Sequence, residues 1–302
     1  MSLLPPPPAS RVLGPGGKEA SSLAWGMWRF EGDNIAAAQG LVEAALDAGI
    51  TLFDTADIYG FDGTSGFGDA ETLLGKVFQA SPRLRDRMVL ATKGGIMPSV
   101  PYDQSRDYAM AALDVSLSRL GIDQVDLWQV HRPDMLTHPQ ELARTLEDMV
   151  KSGKVGAIGV SNFTPSHIAS LQKFLTIPLA SIQPEFSPLH LEPIENGLFD
   201  LSMAAGAAVL AWSPLGQGRI AKPTNKREQD VADALDSVAK AQGVSRTAAA
   251  YSWIMTHPAG AIPIVGSQRA ERITEAADAF KVRWTRTQWY AVLVASRQEP
   301  LP

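Results

Sequence analysis

From residue 22 to residue 280 the chain repeats one pattern: a short apolar run with strand character, then a longer segment with helical spacing. The strand-like runs are Ser22–Met27, Ile50–Asp54, Met88–Lys93, Val125–His131, Lys154–Ser161, Ser181–Pro184, Ala207–Trp212 and Ala261–Val265. Between them the apolar positions fall at helical intervals, as at Ile35, Ala38, Leu41, Val42, Ala45 and Leu46 after the capping residues Asp33 and Asn34. Further helices are expected over 70–78, 106–120, 138–152, after Thr164-Pro165, and, as the eighth, over 269–280. Gly49, Gly121 and Gly153 stop three of them. Strict βα alternation means parallel strands, and eight units in this length predict an α/β protein with a closed (β/α)8 TIM barrel. Gly14-Pro-Gly-Gly17 suits a tight turn between two short strands. The expected layout is therefore an N-terminal tail and β-hairpin over 1–20 and one barrel domain over 21–302 that ends in a C-terminal helix. A doubly wound open sheet is the second choice, but no strand–turn–helix here carries GxGxxG.

Composition narrows the function. Lys and Arg number 27 against 32 Asp and Glu, a formal charge of −5, which argues against nucleic-acid binding. There is no cysteine, so disulfides, zinc–thiolate sites and thiol nucleophiles are excluded. The N-terminus has no basic n-region or apolar h-region, and no run of apolar residues is long enough to span a membrane. A cytoplasmic protein, monomeric or weakly self-associating, is expected.

In a barrel the chemistry sits at the C-terminal ends of the strands. Alternation puts Leu52 and Asp54 on one face, Val89, Ala91 and Lys93 on another, and Val125, Leu127, Gln129 and His131 on a third. Ser161-Asn162 and Gln183 end the next two strands. An ionised Asp54 on an apolar strand needs a buried partner, and Lys93 at the neighbouring strand end solves the desolvation problem for both. The loop phenol Tyr59 is a poor acid near neutrality, and a nearby ammonium is expected to lower its pKa. Lys93 would supply that cation, Asp54 would hold it, and His131 would orient a carbonyl oxygen. Such a set lacks only a hydride, whose natural source is a nicotinamide cofactor.

These residues resemble the aldo-keto reductase superfamily. The matching stretches are Phe53-Asp-Thr-Ala-Asp-Ile-Tyr59-Gly60 with Glu71-Thr-Leu-Leu-Gly75, Ala91-Thr-Lys93, Leu127-Trp-Gln-Val-His131, Gly159-Val-Ser-Asn-Phe163, Gln183, Trp212-Ser-Pro-Leu-Gly216, and Ile262-Pro-Ile-Val-Gly-Ser267 with Arg272. They occur in the family's order, and His-Arg-Pro-Asp after the fourth strand resembles a bacterial subgroup of NADP-linked oxidoreductases. The resemblance implies carbonyl reduction with NADP(H), Tyr59 as general acid, and Asp54, Lys93 and His131 completing a tetrad. It implies that Gly26, Met27 and Trp28 line the nicotinamide and substrate side, and that Ser161, Asn162 and Gln183 bond the carboxamide. Trp212 would stack on the ring. Ser213, Pro214, Leu215, Gly216, Gly218 and Arg219 would follow the pyrophosphate. Gly266, Ser267, Arg269 and Arg272 would meet the 2′-phosphate, and Glu275 the adenine. Two positions depart from the family pattern: Gly266 stands where many relatives have Lys, and Ala276 where they often have Asn.

Two other functions use the same residues. A lyase would employ Lys93 as a Schiff-base nucleophile with Asp54 as proton shuttle. A redox-sensing or regulatory subunit would bind NADP without turnover. A metal hydrolase is disfavoured, because the five His have no ligand spacing at a strand end. Substrate choice is expected to lie with the loops at the mouth, 94–103, 132–135, 189–195 and 217–229, with the C-terminal segment, and with an apolar set of Trp28, Phe61 and Met97.

Overall fold

The computed structural model describes residues 2–301. Its centre is a closed barrel of eight parallel strands, in sequence order β3 (Ala24–Gly26), β4 (Leu52–Asp54), β5 (Val89–Gly94), β6 (Val125–Val130), β7 (Val155–Ser161), β8 (Ser181–Gln183), β9 (Ala208–Ala211) and β10 (Ile262–Val265), with β10 pairing back to β3. The preceding strands β1 (Ser10–Val12) and β2 (Glu19–Ser21) form an antiparallel hairpin. Outside the barrel lie α1 (Ile35–Asp47), α2 (Asp69–Ala80), α3 (Arg106–Leu120), α4 (Pro139–Lys151), α5 (Pro165–Gln172), α6 (Glu192–Glu195), α7 (Leu198–Ala205), α8 (Lys226–Gln242), α9 (Arg246–Thr256), α10 (Ala270–Ala276) and α11 (Arg286–Arg297).

The expected alternation is present, with local differences. Two long helices, α8 and α9, separate β9 from β10, and α8 packs on the C-terminal α11 as an additional outer pair. The predicted eighth helix is divided: α10 ends at Ala276 and a 3-10 turn continues over Ala277–Lys281. His138 lies outside α4 as its cap, its Nδ1 accepting from the Gln140 N–H at 3.1 Å, and Pro139 takes the first helical position, where no N–H is missed. The first strand is shorter than its apolar run, because Ala24 and Trp25 find a barrel partner on each side and Gly26 on the β4 side alone.

Pleating sorts the side chains. Trp25, Phe53, Leu90, Trp128, Val130, Val160 and Ile182 point outward into the apolar layer under the helices. Ala24, Leu52, Val89, Ala91, Leu127, Leu210, Ile262 and Ile264 point inward and form a separate apolar cluster. Val125, expected on the inward face, belongs to the outer layer instead. Leu13 and Ala20 of the hairpin join the inward cluster, so the hairpin plugs the N-terminal end of the barrel. Lys18 pins it there by an ion pair to Asp126 at 2.5 Å. The other end, where the strands terminate on polar residues, is left as the mouth.

Candidate active site

Register explains how the strand-end residues meet. Asp54 pairs with Ala91, and Lys93, two residues further along, pairs with Gln129; Ser161 pairs with Gln183. Inward side chains two residues apart lie on successive layers, so polar groups accumulate directly above the apolar floor.

Lys93 is fully buried, and its ammonium has three partners. It donates to Asp54 Oδ2 at 2.7 Å, to the Thr55 carbonyl at 2.9 Å and to Tyr59 Oη at 2.9 Å. An ammonium has three N–H groups, and all are used. Burial alone would lower the Lys93 pKa, but the Asp54 carboxylate and the Tyr59 oxygen raise it above the ordinary lysine value. Asp54 is braced from the other side: Gln183 Nε2 donates to Oδ1 at 2.9 Å and Gln129 Nε2 at 3.4 Å. Gln129 in turn accepts from Ser181 Oγ at 2.9 Å. That contact leaves no room for a side chain at residue 159, where a Cβ would sit 2.1 Å from Ser181 Oγ. The supporting role of Gln129 went unassigned in the sequence, although its alternation with His131 placed it on the inward face.

The phenol behaves differently from the sequence expectation. Burial raises the Tyr59 pKa above that of free tyrosine, and the adjacent Lys93 ammonium only partly offsets it. Tyr59 is therefore a fully protonated donor at neutral pH, held against the cation that would stabilise its phenolate. The loop that carries it, 60–68, is tied back on itself. Gly60 has φ +99°, and a Cβ there would lie 2.8 Å from the Gly66 carbonyl. The Ala70 N–H donates to the Tyr59 carbonyl at 3.2 Å. From α3 the Arg119 guanidinium lies over the Phe67 ring at 5.4 Å and donates to Glu71 at 3.2 Å. This clamp gives the 61–68 loop a physical role, holding the segment that positions the phenol.

His131 stands edge-on to the Tyr59 ring, centroids 5.8 Å apart. Burial, with Lys93 and Arg132 nearby, holds its pKa well below that of free histidine, so it is neutral at pH 7. Its Nδ1 is enclosed without a hydrogen-bond partner, whereas Nε2 is not enclosed in this way.

The remaining predicted residues divide into three groups. Asn162, Ser161, Gln183 and Trp212 are already joined to one another. Asn162 Nδ2 donates to the His131 carbonyl at 3.0 Å and to Ser161 Oγ at 2.9 Å, and Trp212 Nε1 donates to Asn162 Oδ1 at 3.0 Å. Ser161 Oγ donates to the Gln183 carbonyl at 3.0 Å. Asn162 and Ser213 both have positive φ, +62° and +50°, conformations unusual for residues with a Cβ and concentrated here at the rim of the site. In the first-strand group, Gly26 is at the mouth and its carbonyl accepts from Gln268, and Trp28 is 67% exposed. Met27 departs from expectation: its side chain is buried in the outer apolar layer, so only its backbone is near the mouth. In the phosphate-side group, Gly216, Gln217 and Gly218 all have positive φ, and Pro214 is buried. Arg219 donates through Nε to the Gly216 carbonyl at 2.8 Å and pairs with Glu228 at 3.7 Å. Ser267 accepts through Oγ from the Arg269 N–H at 3.3 Å. Arg269 is paired with Glu271, whereas the exposed Arg272 guanidinium has no hydrogen bond or ion pair among the described residues. Gly266 is exposed with open space around it, and Glu275 is half-buried.

One acid near the site was overlooked in the sequence. Asp57 is buried, neither carboxyl oxygen has a partner, and burial together with Glu71 raises its pKa well above the usual carboxylate range. Its position in Asp54-Thr-Ala-Asp57 made it look like an ordinary loop residue. No group of three or more His, Asp or Glu able to hold a metal is found among the described residues.

Comparisons with known proteins identify the family. Residues 22–293 match the model of the aldo/keto reductase family. The chain is 62% identical to a 6-dehydroglucose reductase of Novosphingobium aromaticivorans, over the whole of both chains. It is 37% identical to a 6-dehydroglucose reductase of Agrobacterium fabrum, covering 90% of this chain and 93% of that one. A crystal structure of the thermostable aldo-keto reductase Tm1743, in complex with the inhibitor epalrestat, superposes with a TM-score of 0.83 over 95% of this chain and 99% of that one; at 23% identity it speaks for the fold. The chain is an oxidoreductase of the aldo/keto reductase family.

Proposed function

We propose that the protein is an NADP(H)-dependent reductase of aldehydes, with Tyr59 as the general acid and 6-dehydroglucose, or a similar hydroxylated aldehyde, as its substrate. The observation that carries the reading is the Lys93 ammonium, which bridges the Asp54 carboxylate and the Tyr59 hydroxyl in a buried setting. The substrate class is taken from the relative at 62% identity.

The hydride is the contribution of a bound nicotinamide. The side chains do the rest. Tyr59 gives its proton to the carbonyl oxygen as negative charge develops there, and the phenolate left behind is stabilised by Lys93, which Asp54 holds in place. Neutral His131, protonated on Nε2, donates a hydrogen bond to the same oxygen and fixes its position. Arg272, exposed in the first turn of α10 and without a hydrogen bond or ion pair among the described residues, fits a phosphate of the cofactor, as does the open backbone at Gly266. Trp212 offers a half-buried ring face, already oriented by Asn162, to a planar ring.

The Schiff-base alternative fits less well. A nucleophilic lysine must be neutral, and here the Asp54 and Tyr59 oxygens hold Lys93 protonated.

Tyr59→Phe tests the reading. It removes the proton and keeps the ring, so reduction of an aldehyde by NADPH should fall about 10²–10⁴-fold, while the quenching of protein fluorescence by NADPH is retained. Undiminished turnover in that variant rules out Tyr59 as the acid.

A further inference from the structure

Arg132 follows His131 at the rim of the mouth, and the N–H groups of its guanidinium are unclaimed among the described residues. Its carbon lies 5.9 Å from the centroid of the Trp212 ring, and it makes no hydrogen bond or ion pair among the described residues. The side chain is nonetheless half-buried. The nearby Asp134 does not neutralise it, because that carboxylate is taken by the Gln104 and Leu136 N–H groups and the Thr137 hydroxyl. The backbone is firmly held: Gln104 Nε2 donates to the Arg132 carbonyl at 2.9 Å, and Pro133 restricts the residue to extended conformations. A partly desolvated fork of donors on a rigid backbone, close enough for its charge to depress the His131 pKa, rests on the Trp212 ring and has no hydrogen-bonding or ionic partner among the described residues.

Barrel order says which ligand it faces. β6 ends at Val130, two residues before Arg132, and lies on the opposite side of the ring from β10, the strand that leads to Ser267 and Arg272. The Arg132 backbone thus starts from the wall across the mouth from the phosphate-side residues, and its guanidinium, over Trp212 and close to His131, borders the space in which a carbonyl held by His131 and Tyr59 would sit. We infer that Arg132 is a specificity-determining residue whose guanidinium takes the hydroxyl groups of a polyhydroxylated aldehyde on the carbons next to the carbonyl. The inference rests on the reductase reading above. It explains a preference for sugar-like aldehydes over simple ones, since a guanidinium presents parallel donors that a pair of neighbouring hydroxyl oxygens can accept together.

The test compares D-glyceraldehyde with propanal, which has the same carbon number and no hydroxyls, and with succinic semialdehyde, which carries a carboxylate. Wild type and Arg132→Met are measured with NADPH, the Met stem keeping contact with Trp212. The expected result is a loss of about tenfold or more in kcat/KM for glyceraldehyde, mainly through KM, with propanal unchanged and NADPH binding by fluorescence unchanged. Arg132→Lys should recover only part of the loss, because the charge returns without the fork. Equal losses on glyceraldehyde and propanal, weakened NADPH binding, or no effect at all overturn the inference. A loss confined to succinic semialdehyde overturns it in favour of a carboxylate site. A wild-type protein that binds NADPH but reduces no carbonyl overturns the reductase reading, and this one with it.

Discussion

Replacing Lys93 by Met takes away the one cation that is bonded to the buried Asp54 among the described residues. The carboxylate keeps Gln183 at 2.9 Å and the longer contact to Gln129, so it is not wholly abandoned. Removing one partner of a buried ion pair costs about 3–5 kcal/mol, and the two amides put the expected value near the lower end, about 3 kcal/mol. The Tyr59 hydroxyl also loses a partner, but Tyr59 is only half-buried, so solvent can replace the lost bond. The second half of the experiment is the double variant Asp54→Asn/Lys93→Met. It has no buried charge, so it should be more stable than Lys93→Met by about 2 kcal/mol, even though it carries one more substitution. Equilibrium urea unfolding of wild type, both single variants and the double variant at pH 7 closes the cycle. If Lys93→Met loses less than about 1 kcal/mol, or if the double variant is less stable than the single one, Asp54 does not depend on Lys93 and the account of the site fails at its centre.

Two further outcomes follow from the same structure. Asp57 is a buried acid with both oxygens unpartnered and a pKa raised well above the usual carboxylate range, first by burial and then by Glu71. A raised folded-state pKa favours folding below the unfolded value of about 4, and that advantage is lost as pH rises through the folded value. Asp57→Asn should thus stabilise the protein by about 1–3 kcal/mol at pH 8 and change little at pH 4; no gain in urea midpoint at pH 8 rules this out. Gly266 has open space and no positive φ, so Gly266→Lys should fold normally and tighten NADPH binding relative to NADH by about fivefold to tenfold; unchanged NADPH/NADH selectivity in a fluorescence titration would remove the phosphate from that wall.

Much of this was legible in the chain. Alternation of strand and helix periods is local, and a parallel barrel follows from it because each crossover must return to the same end of the sheet. Period 2 within each strand was enough to put Asp54, Lys93, Gln129 and His131 on inward faces at one end. The extra pair α8 and α11 was less visible, since an amphipathic pattern says that a face is buried without saying against what.

What the sequence could not decide concerns groups that meet across strands. Whether the phenol's pKa ends below or above its ordinary value is a contest between the 2.9 Å contact to Lys93, which lowers it, and burial, which raises it and depends on every neighbour. Gln183 bonding Asp54, and Asn162 bonding Trp212, depend on register and strand tilt, which no single strand encodes. The side chain of Met27 lies in the outer layer with Trp25, two residues before it, while Ala24 faces inward, so the alternation of β3 carries on past its last paired residue. The loss of partners is the least local property of all. Arg132 and Asp57 look like ordinary loop residues until the fold shows that one has an unclaimed guanidinium and the other an unclaimed carboxyl. Residue types and their periodicity settled the barrel and the end of it that works. Only the closed tertiary structure decided which charges are compensated, because compensation is a matter of distance and burial between residues far apart in the chain.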